Sequence, residues 1–150
     1  MNKRLDEAVD LFKEVMIFGT ERIIKSIEHE IYDFYSPEQV HMLQILSKVE
    51  KASPGRLAEL QGVHKSAVSN RVKKLTQNGL VKVIDSKEDQ RGKTISLTDE
   101  GRDVIQQSNE LISNHIEDLL HDELKNSEID EFIRIFNKVK TILKVEDDLK

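Results

Sequence analysis

The side chains whose types and spacing suit a chemical role are concentrated between residues 64 and 93. This segment carries eight basic and three acidic residues, a net charge of +5, whereas the rest of the chain carries 15 basic and 25 acidic residues, a net charge of −10. A basic segment in an acidic protein is typical of a molecule that meets a polyanion with one surface only. The alternative is a chance clustering of surface lysines.

The elements in and around this segment predict a helix-turn-helix followed by a β-hairpin. Ser53-Pro54 begins a short helix that Gly62 ends, and a second helix is expected over about 65–77, where Asn78-Gly79 ends it. Two strand-like runs with a charged tip between them predict a hairpin over about 80–97. Such an arrangement lets a helix enter the major groove of DNA while the hairpin reaches the neighbouring minor groove.

The helix over 65–77 is the candidate recognition helix. Val68, Val72 and Leu75 are spaced to face the core, which turns the polar side chains outward. Asn70 suits a bidentate contact to an adenine edge, and the outward serines, Ser66 and Ser69, can reach a base or a phosphate. We expect phosphate contacts from the basic residues Lys65, Arg71, Lys73 and Lys74. The alternative for all of these residues is a solvated polar helix face.

The tip of the hairpin supplies the second half of the predicted interface. An arginine there, Arg91, can insert into a narrow minor groove, where the negative potential is strongest. Asp89 would hold Arg91 in place through a charge-assisted hydrogen bond. Lys87 and Lys93 complete the predicted DNA-binding residues.

Helical segments lie on both sides of this region. Apolar residues recur at helical spacing from Leu5 to Phe34, which predicts one helix of roughly 30 residues. We therefore expect a mainly α protein with a small β-hairpin, in which a winged helix-turn-helix lobe over 36–99 is flanked by an N-terminal dimerisation helix over 1–35 and C-terminal dimerisation helices over 100–150. A homodimer fits this pattern and would match a palindromic site. An intramolecular helix pair is the alternative.

Helix starts are marked by side chains that suit the N-cap position. Ser36, followed by Pro37 and Gln39, predicts one start, and Thr98 predicts another. His64 occupies the corresponding position before the candidate recognition helix, where a residue such as Ser or Asp is usual. The placement of Lys65 and Ser66 is therefore less well defined by the sequence than the helix itself.

The sequence lacks the residues that several classes of function require. The chain has no phosphate-binding loop, dinucleotide fingerprint or nucleophile elbow, so we do not expect an enzyme, and no cofactor is predicted. It has no cysteine, and its histidines are not spaced as a zinc pair, so no metal site is predicted and a metal-responsive regulator is a disfavoured alternative. No apolar run of membrane-spanning length and no signal peptide are present, which predicts a cytoplasmic protein that does not interact with membranes.

Three stretches resemble the MarR family of winged helix-turn-helix regulators, and the resemblance covers nearly the whole chain. They are GVHKSAVSNRVKKLTQNGLV, DQRGK in the hairpin, and ISLTDEG. The most specific part is Asp89-x-Arg91 in the hairpin followed by Leu97-Thr98-x-x-Gly101. The resemblance implies a homodimer, a pseudo-palindromic double-stranded DNA operator and, in many members, release from DNA by small phenolic or drug-like compounds.

The resemblance also implies an effector pocket between the dimerisation helices and the DNA-binding lobe. The candidate residues are Arg22, Tyr35, His41 and Met42, and the alternative is that the aromatic and Met side chains belong to the core. The resulting prediction is a transcriptional repressor whose repression is relieved by a small aromatic or drug-like ligand. The alternatives are a ligand-independent architectural or accessory DNA-binding protein and a protein-binding winged helix.

Overall fold

The computed structural model describes residues 2–85 and 92–145, and it is mainly helical with one small sheet. The helices are α1 (Lys3–Glu14), a π-helical turn (Val15–Gly19), α2 (Thr20–Ser26), α3 (Ile31–Phe34), α4 (Pro37–Val49), α5 (Pro54–Gln61), α6 (Lys65–Gln77), α7 (Asp99–Leu120) and α8 (Asn126–Ile142); the strands are β1 (Lys51–Ala52), β2 (Val81–Asp85) and β3 (Lys93–Leu97). The predicted fold class is confirmed, and α6 has the bounds expected from the sequence.

The sheet contains one strand more than the predicted hairpin. Its order is β1-β3-β2 with antiparallel pairing, so β3 is the central strand. Ile95 faces Ala52 on one side and Val83 on the other. The two-residue strand β1 escaped prediction because so short a run shows no alternation of apolar and polar residues.

The core lies where α4 packs against α5, α6, α7 and the sheet. Its fully buried large side chains are Met42, Leu43, Leu46, Leu57, Val68, Leu75, Ile95 and Leu97. They come from four different elements, α4, α5, α6 and β3, so burying them fixes how those elements are oriented. This burial is the main stabilising contribution to the lobe, at about 1.5–3 kcal/mol for each large apolar side chain.

Two of the predicted helix starts have the expected caps. The Ser36 hydroxyl accepts a hydrogen bond from the Gln39 backbone N–H at 3.2 Å, and the Gln39 side chain accepts one from the Ser36 N–H at 3.0 Å. Thr98 accepts a hydrogen bond from the Gly101 N–H at 3.1 Å. Caps of this kind stabilise a helix by about 1 kcal/mol each.

The first helical region ends earlier than the sequence predicts. The prediction of a single helix to Phe34 is wrong, because α2 ends at Ser26 and Ile27 has an extended backbone. Side chains at the break take over backbone hydrogen bonds: the Ser26 hydroxyl donates to the Ile23 carbonyl at 2.8 Å, and His29 Nδ1 accepts the Ile31 N–H at 3.1 Å. Such local bonds compete with a continuous helix.

The terminal helices differ from the lobe because α1, the π turn, α2 and α8 contain no buried residue. Phe12 of α1 lies 6.3 Å from Phe136 of α8 between ring centroids, and Phe136 stacks on Phe132 at 4.1 Å. These aromatic side chains remain 39–55% exposed. Within the described residues, no helix combines the length and apolar character needed to cross a membrane.

Candidate nucleic-acid interface

Helix α6 has one apolar face and one polar face, as its sequence predicts. Val68 and Leu75 are fully buried, and Val72 is half-buried against the same core. The opposite face is exposed and carries Ser66, Ser69, Asn70, Lys73 and Lys74, with Lys65 exposed at its first turn. The helix therefore presents amide, hydroxyl and ammonium groups to solvent on a rigid support.

A tight turn joins α5 to α6 and sets the position of that face. Gly62 adopts a left-handed conformation with φ +64°, and the next N–H, from Val63, donates to the Ala58 carbonyl at 3.0 Å. A glycine ends α5 here because side chains disfavour that backbone conformation. The turn allows α6 to begin at Lys65, only three residues after Gly62.

The start of α6 has no side-chain cap. His64 is at the N-cap position, and its side chain makes no capping hydrogen bond. The backbone N–H groups of Ala67 and Val68 donate to the His64 carbonyl, so the first turn closes through the backbone. The backbone N–H groups at the start of α6 therefore have no capping side chain as hydrogen-bond acceptor, and they lie next to the exposed Lys65.

The base of the hairpin is fixed to the end of α6. Gly79 has φ +75°, and the Leu80 N–H donates to the Leu75 carbonyl at 2.9 Å. The Thr98 hydroxyl donates to the Gly79 carbonyl at 2.5 Å. A Cβ added at Gly101 would overlap the Leu80 carbonyl oxygen, so α7 packs this closely only because residue 101 is glycine. The Leu97-Thr98-x-x-Gly101 pattern thus fixes the hairpin relative to α6.

Lys93 begins β3 opposite Asp85 and is exposed. The other predicted hairpin residues, Lys87, Asp89 and Arg91, lie outside the described residues. Among the residues that the structure does describe, Lys65, Lys73, Lys74 and Lys93 form no ion pair. Their charges are therefore available to an external anion.

Arg71 has a different environment from the lysines of α6. It is half-buried, and its Nη1 donates to the Gln61 side-chain carbonyl at 2.9 Å. The sequence did not single out Gln61, because a Gln at a helix end has no pattern that points to a partner ten residues away.

The four predicted effector residues do not line a common cavity. Tyr35 borders a groove of about 620 Å³, together with Ile24, His29, Tyr32 and Pro37. His41 borders another groove of about 650 Å³, between α4 and α7, which includes Lys48 and Asn109. Arg22 is exposed and lines neither groove, and Met42 is fully buried in the core. The predicted grouping of these residues in one pocket is therefore not supported by their placement.

Three polar contacts that the sequence did not predict join residues 26–32, from the end of α2 to α3, with α7. Ser26 Oγ lies 2.6 Å from His115 Nε2, the Tyr32 hydroxyl lies 2.9 Å from Ser108 Oγ, and the Gln107 amide lies 3.3 Å from His29 Nε2. Ser108 is only 1% exposed, so the Tyr32 hydroxyl satisfies a buried polar group. These contacts connect the first helical region to the lobe.

Comparison with known proteins agrees with this geometry. The MarR family profile matches residues 35–92, which include α4, α5, α6 and β2. The curated HTH-type transcriptional regulator YdgG of Bacillus subtilis (strain 168), whose function is uncharacterised, is 37% identical over 147 residues, covering 97% of this chain and 96% of YdgG.

Solved structures share the fold. A MarR family protein from Bacillus stearothermophilus aligns with a TM-score of 0.80 at 22% identity, over 96% of this chain and 99% of that one. BpsR of Bordetella bronchiseptica, whose DNA binding is regulated by 6-hydroxynicotinic acid, aligns with a TM-score of 0.68 at 14% identity, over 89% of this chain and 98% of BpsR. The profile match, the full-length similarity to YdgG and the winged helix together show that this chain is a member of the MarR family of DNA-binding transcriptional regulators, and not an enzyme.

Proposed function

We propose that this protein is a homodimeric repressor that binds a pseudo-palindromic operator. A small aromatic or drug-like ligand then releases the repressor from that operator. The observation that carries the DNA-binding part is the exposed face of α6, where hydroxyl, amide and ammonium groups share one surface. Each step of the proposal uses a different part of the structure.

The α6 face suits the major groove because it combines both kinds of contact that recognition needs. Asn70 can donate to and accept from an adenine edge, and Ser66 and Ser69 lie on the same face. Lys65, Lys73 and Lys74 project from the flanks and can neutralise phosphates, which gives affinity without reading the sequence. We propose that α6 lies in the major groove of each half-site with these residues toward DNA.

The hairpin would extend the contact to the minor groove. Lys93 is exposed at the start of β3, near the tip. The proposed roles of Arg91 as the inserted cation and of Asp89 as its partner, with Lys87 beside them, rest on the sequence and the family resemblance. Because the base of the hairpin is fixed to α6, both elements would approach DNA as one rigid unit.

The terminal helices supply the surface for a second copy of the chain. Phe12, Phe132 and Phe136 form an aromatic cluster that one protomer leaves half-exposed. Apolar residues continue along the same helices on either side of this cluster, namely Leu5, Val9, Leu11, Val15, Met16, Ile17, Phe18, Ile129, Ile133, Ile135, Ile142 and Leu143. So many exposed large apolar side chains on the same two terminal segments are unfavourable in water, and they favour burial in a protein interface. A two-fold dimer would place two α6 helices about one turn of DNA apart.

The ligand part of the proposal is drawn from BpsR, whose DNA binding an aromatic acid regulates. Here the groove that contains Tyr35 and Tyr32 lies beside the segment connecting α2 to the lobe. An aromatic compound bound there would contact both the first helical region and the lobe, so it could change the distance between the two α6 helices of a dimer. Arg22 lies in α2 outside the lining of this groove, so its proposed role as partner for an anionic group rests on the sequence alone.

The experiment is a selection from random double-stranded DNA with the wild type, Asn70→Ala, Arg91→Ala and the control Lys138→Ala, which changes an exposed residue of α8. The wild type and the control should enrich the same inverted repeat. Asn70→Ala should lose the preference for one base at one position of each half-site. The free energy of discrimination lost there should be about 1–3 kcal/mol per base contact. Arg91→Ala should weaken binding to every sequence that is recovered.

The recovered operator then separates the remaining alternatives. Binding that falls steeply with salt supports contact with several phosphates, and failure of the wild type to enrich any sequence would contradict the proposal. Release by an aromatic acid would support a sensor, whereas unchanged affinity across a panel of such compounds would favour an architectural protein. Transcription from a promoter that carries the operator should fall when the protein is added, and an increase would show an activator.

A further inference from the structure

Gln61 is the last residue of α5 and makes hydrogen bonds to two other helices. Its side-chain oxygen accepts a hydrogen bond from Arg71 Nη1 of α6 at 2.9 Å. Its Nε2 donates to the Glu38 carbonyl of α4 at 3.2 Å and lies 3.4 Å from His41 Nδ1. The amide orientation follows from chemistry, because a guanidinium only donates and a carbonyl only accepts. One side chain therefore joins α4, α5 and α6.

Arg71 lies at the border between the buried and exposed faces of α6. It is three residues after Val68 and four before Leu75, both fully buried, and it directly follows the exposed Asn70. Its side chain is half-buried, and within the described residues it has no carboxylate partner. The guanidinium is thus held by a neutral group and keeps its full positive charge.

We infer that Gln61 is a positioning residue for DNA binding, which holds Arg71 of the recognition helix without neutralising it. The inference rests on the proposed function, because it assumes that α6 faces DNA. Arg71 has five N–H groups, and Gln61 takes one of them at a fixed place, so the others can reach a backbone phosphate beside Asn70. The bonds from Gln61 to α4 keep that geometry aligned with the lobe.

The choice of glutamine matters for the charge of the interface. A glutamate at this position would also hold Arg71, through a stronger charge-assisted bond. It would, however, cancel the charge that attracts a phosphate, and its oxygens would repel the Glu38 carbonyl. An alanine would release Arg71 and leave its side chain free to adopt many conformations. Glutamine alone among these residues combines a fixed arginine with an intact positive charge.

The first test measures operator affinity for Gln61→Ala, Arg71→Ala and the double variant by fluorescence anisotropy, with thermal unfolding as the check on folding. Each single variant should bind the operator about tenfold more weakly, as expected for loss of a hydrogen bond to a charged group. Because Gln61 acts through Arg71, the double variant should also lose only about tenfold. Additive losses, or wild-type affinity for Gln61→Ala, would overturn the inference.

The second test uses Gln61→Glu, with Gln77→Glu at the exposed end of α6 as the matched control for an added negative charge. Gln61→Glu should still unfold cooperatively, because the stronger bond to Arg71 offsets the lost bond to the Glu38 carbonyl. It should nevertheless bind the operator at least tenfold more weakly and with a shallower salt dependence than Gln77→Glu. Equal affinities for the two variants would show that only long-range charge matters, against the inference. If the wild type itself bound no DNA, the proposed function would fail instead.

Discussion

The DNA-binding lobe and the terminal helices use apolar residues in opposite ways. Among the described residues, all fifteen buried apolar side chains lie between Ile31 and Ile105. Seventeen of the twenty large apolar side chains that are exposed in the same residues lie at 5–18 and 119–143. The lobe therefore buries its core within one chain, whereas the terminal helices leave most of their large apolar side chains exposed in the single chain. The geometry of the lobe is thus determined within one chain, and the proposed dimer would be encoded in a separate part of the sequence, the terminal helices.

The largest expected effect comes from comparing the same substitution, Leu→Ala, in the lobe and in the terminal helices. Leu57→Ala removes a fully buried side chain from the lobe and should lower the free energy of unfolding by about 2–5 kcal/mol, because a cavity remains. Leu119, which is 52% exposed, is the matched control. Leu119→Ala should cost less than about 1 kcal/mol at protein concentrations where the chain is monomeric. Urea unfolding of both variants measures the difference, and equal losses would contradict the comparison.

The second prediction concerns the aromatic cluster of the terminal helices. Phe136 contacts both Phe12 and Phe132, so Phe136→Ala should raise the dissociation constant of the proposed dimer by at least tenfold, as expected for an aromatic side chain central to an interface. Sedimentation equilibrium measures this constant. Phe34→Ala changes a 75% exposed aromatic residue outside the cluster and serves as control. A wild-type chain that is monomeric at all concentrations would contradict the dimer.

The third prediction concerns the contact between Tyr32 of α3, in the first helical region, and the buried Ser108 of α7. Ser108→Ala should lower stability by about 1–3 kcal/mol, because the Tyr32 hydroxyl loses its partner. The double variant Tyr32→Phe, Ser108→Ala should recover part of that loss, since neither hydroxyl remains. Urea unfolding of the two single variants and the double variant gives the coupling free energy. A coupling near zero would show that the first helical region and the lobe are energetically independent here.

The sequence predicts best those features that neighbouring residues determine. The bounds of α6 and the caps at Ser36 and Thr98 depend on side chains within a few residues of the backbone groups that they serve. The apolar spacing also predicted which side of α6 is buried. Helix capping and apolar periodicity are local effects, and they determine these features of the lobe.

The sequence fails where a residue's partner is distant along the chain. At the break after Ser26, the Ser26 hydroxyl contacts His115, 89 residues away. The helical spacing of apolar residues nevertheless continues past this break, through Ile27 and Ile31. Gln61 likewise takes its role from Glu38 and Arg71. In both places a polar side chain contacts residues that are distant in the sequence. No local sequence pattern indicates these contacts, so only the folded structure shows them.

The smallest expected effect tests which face of α8 the proposed dimer covers. Arg134 donates a hydrogen bond to Glu131 at 2.9 Å, and this bond and its charge lower the pKa of Glu131. Both side chains of the pair are exposed, and they project away from Phe132 and Phe136 on α8, so a dimer through the aromatic cluster should leave the pair in water. Arg134→Gln should therefore raise the pKa of Glu131 toward its ordinary value, with little change in stability.

A lowered pKa means that the pair stabilises the folded chain at neutral pH, and that this contribution is lost as the pH falls through the folded-state pKa of Glu131. An NMR titration of the Glu131 side chain follows it directly. The titration should be the same in the wild type and in Phe136→Ala, because weakening the dimer does not change the solvation of this face. A Glu131 pKa that differed between them would place the polar face of α8 in the interface, and the aromatic cluster would then need another role.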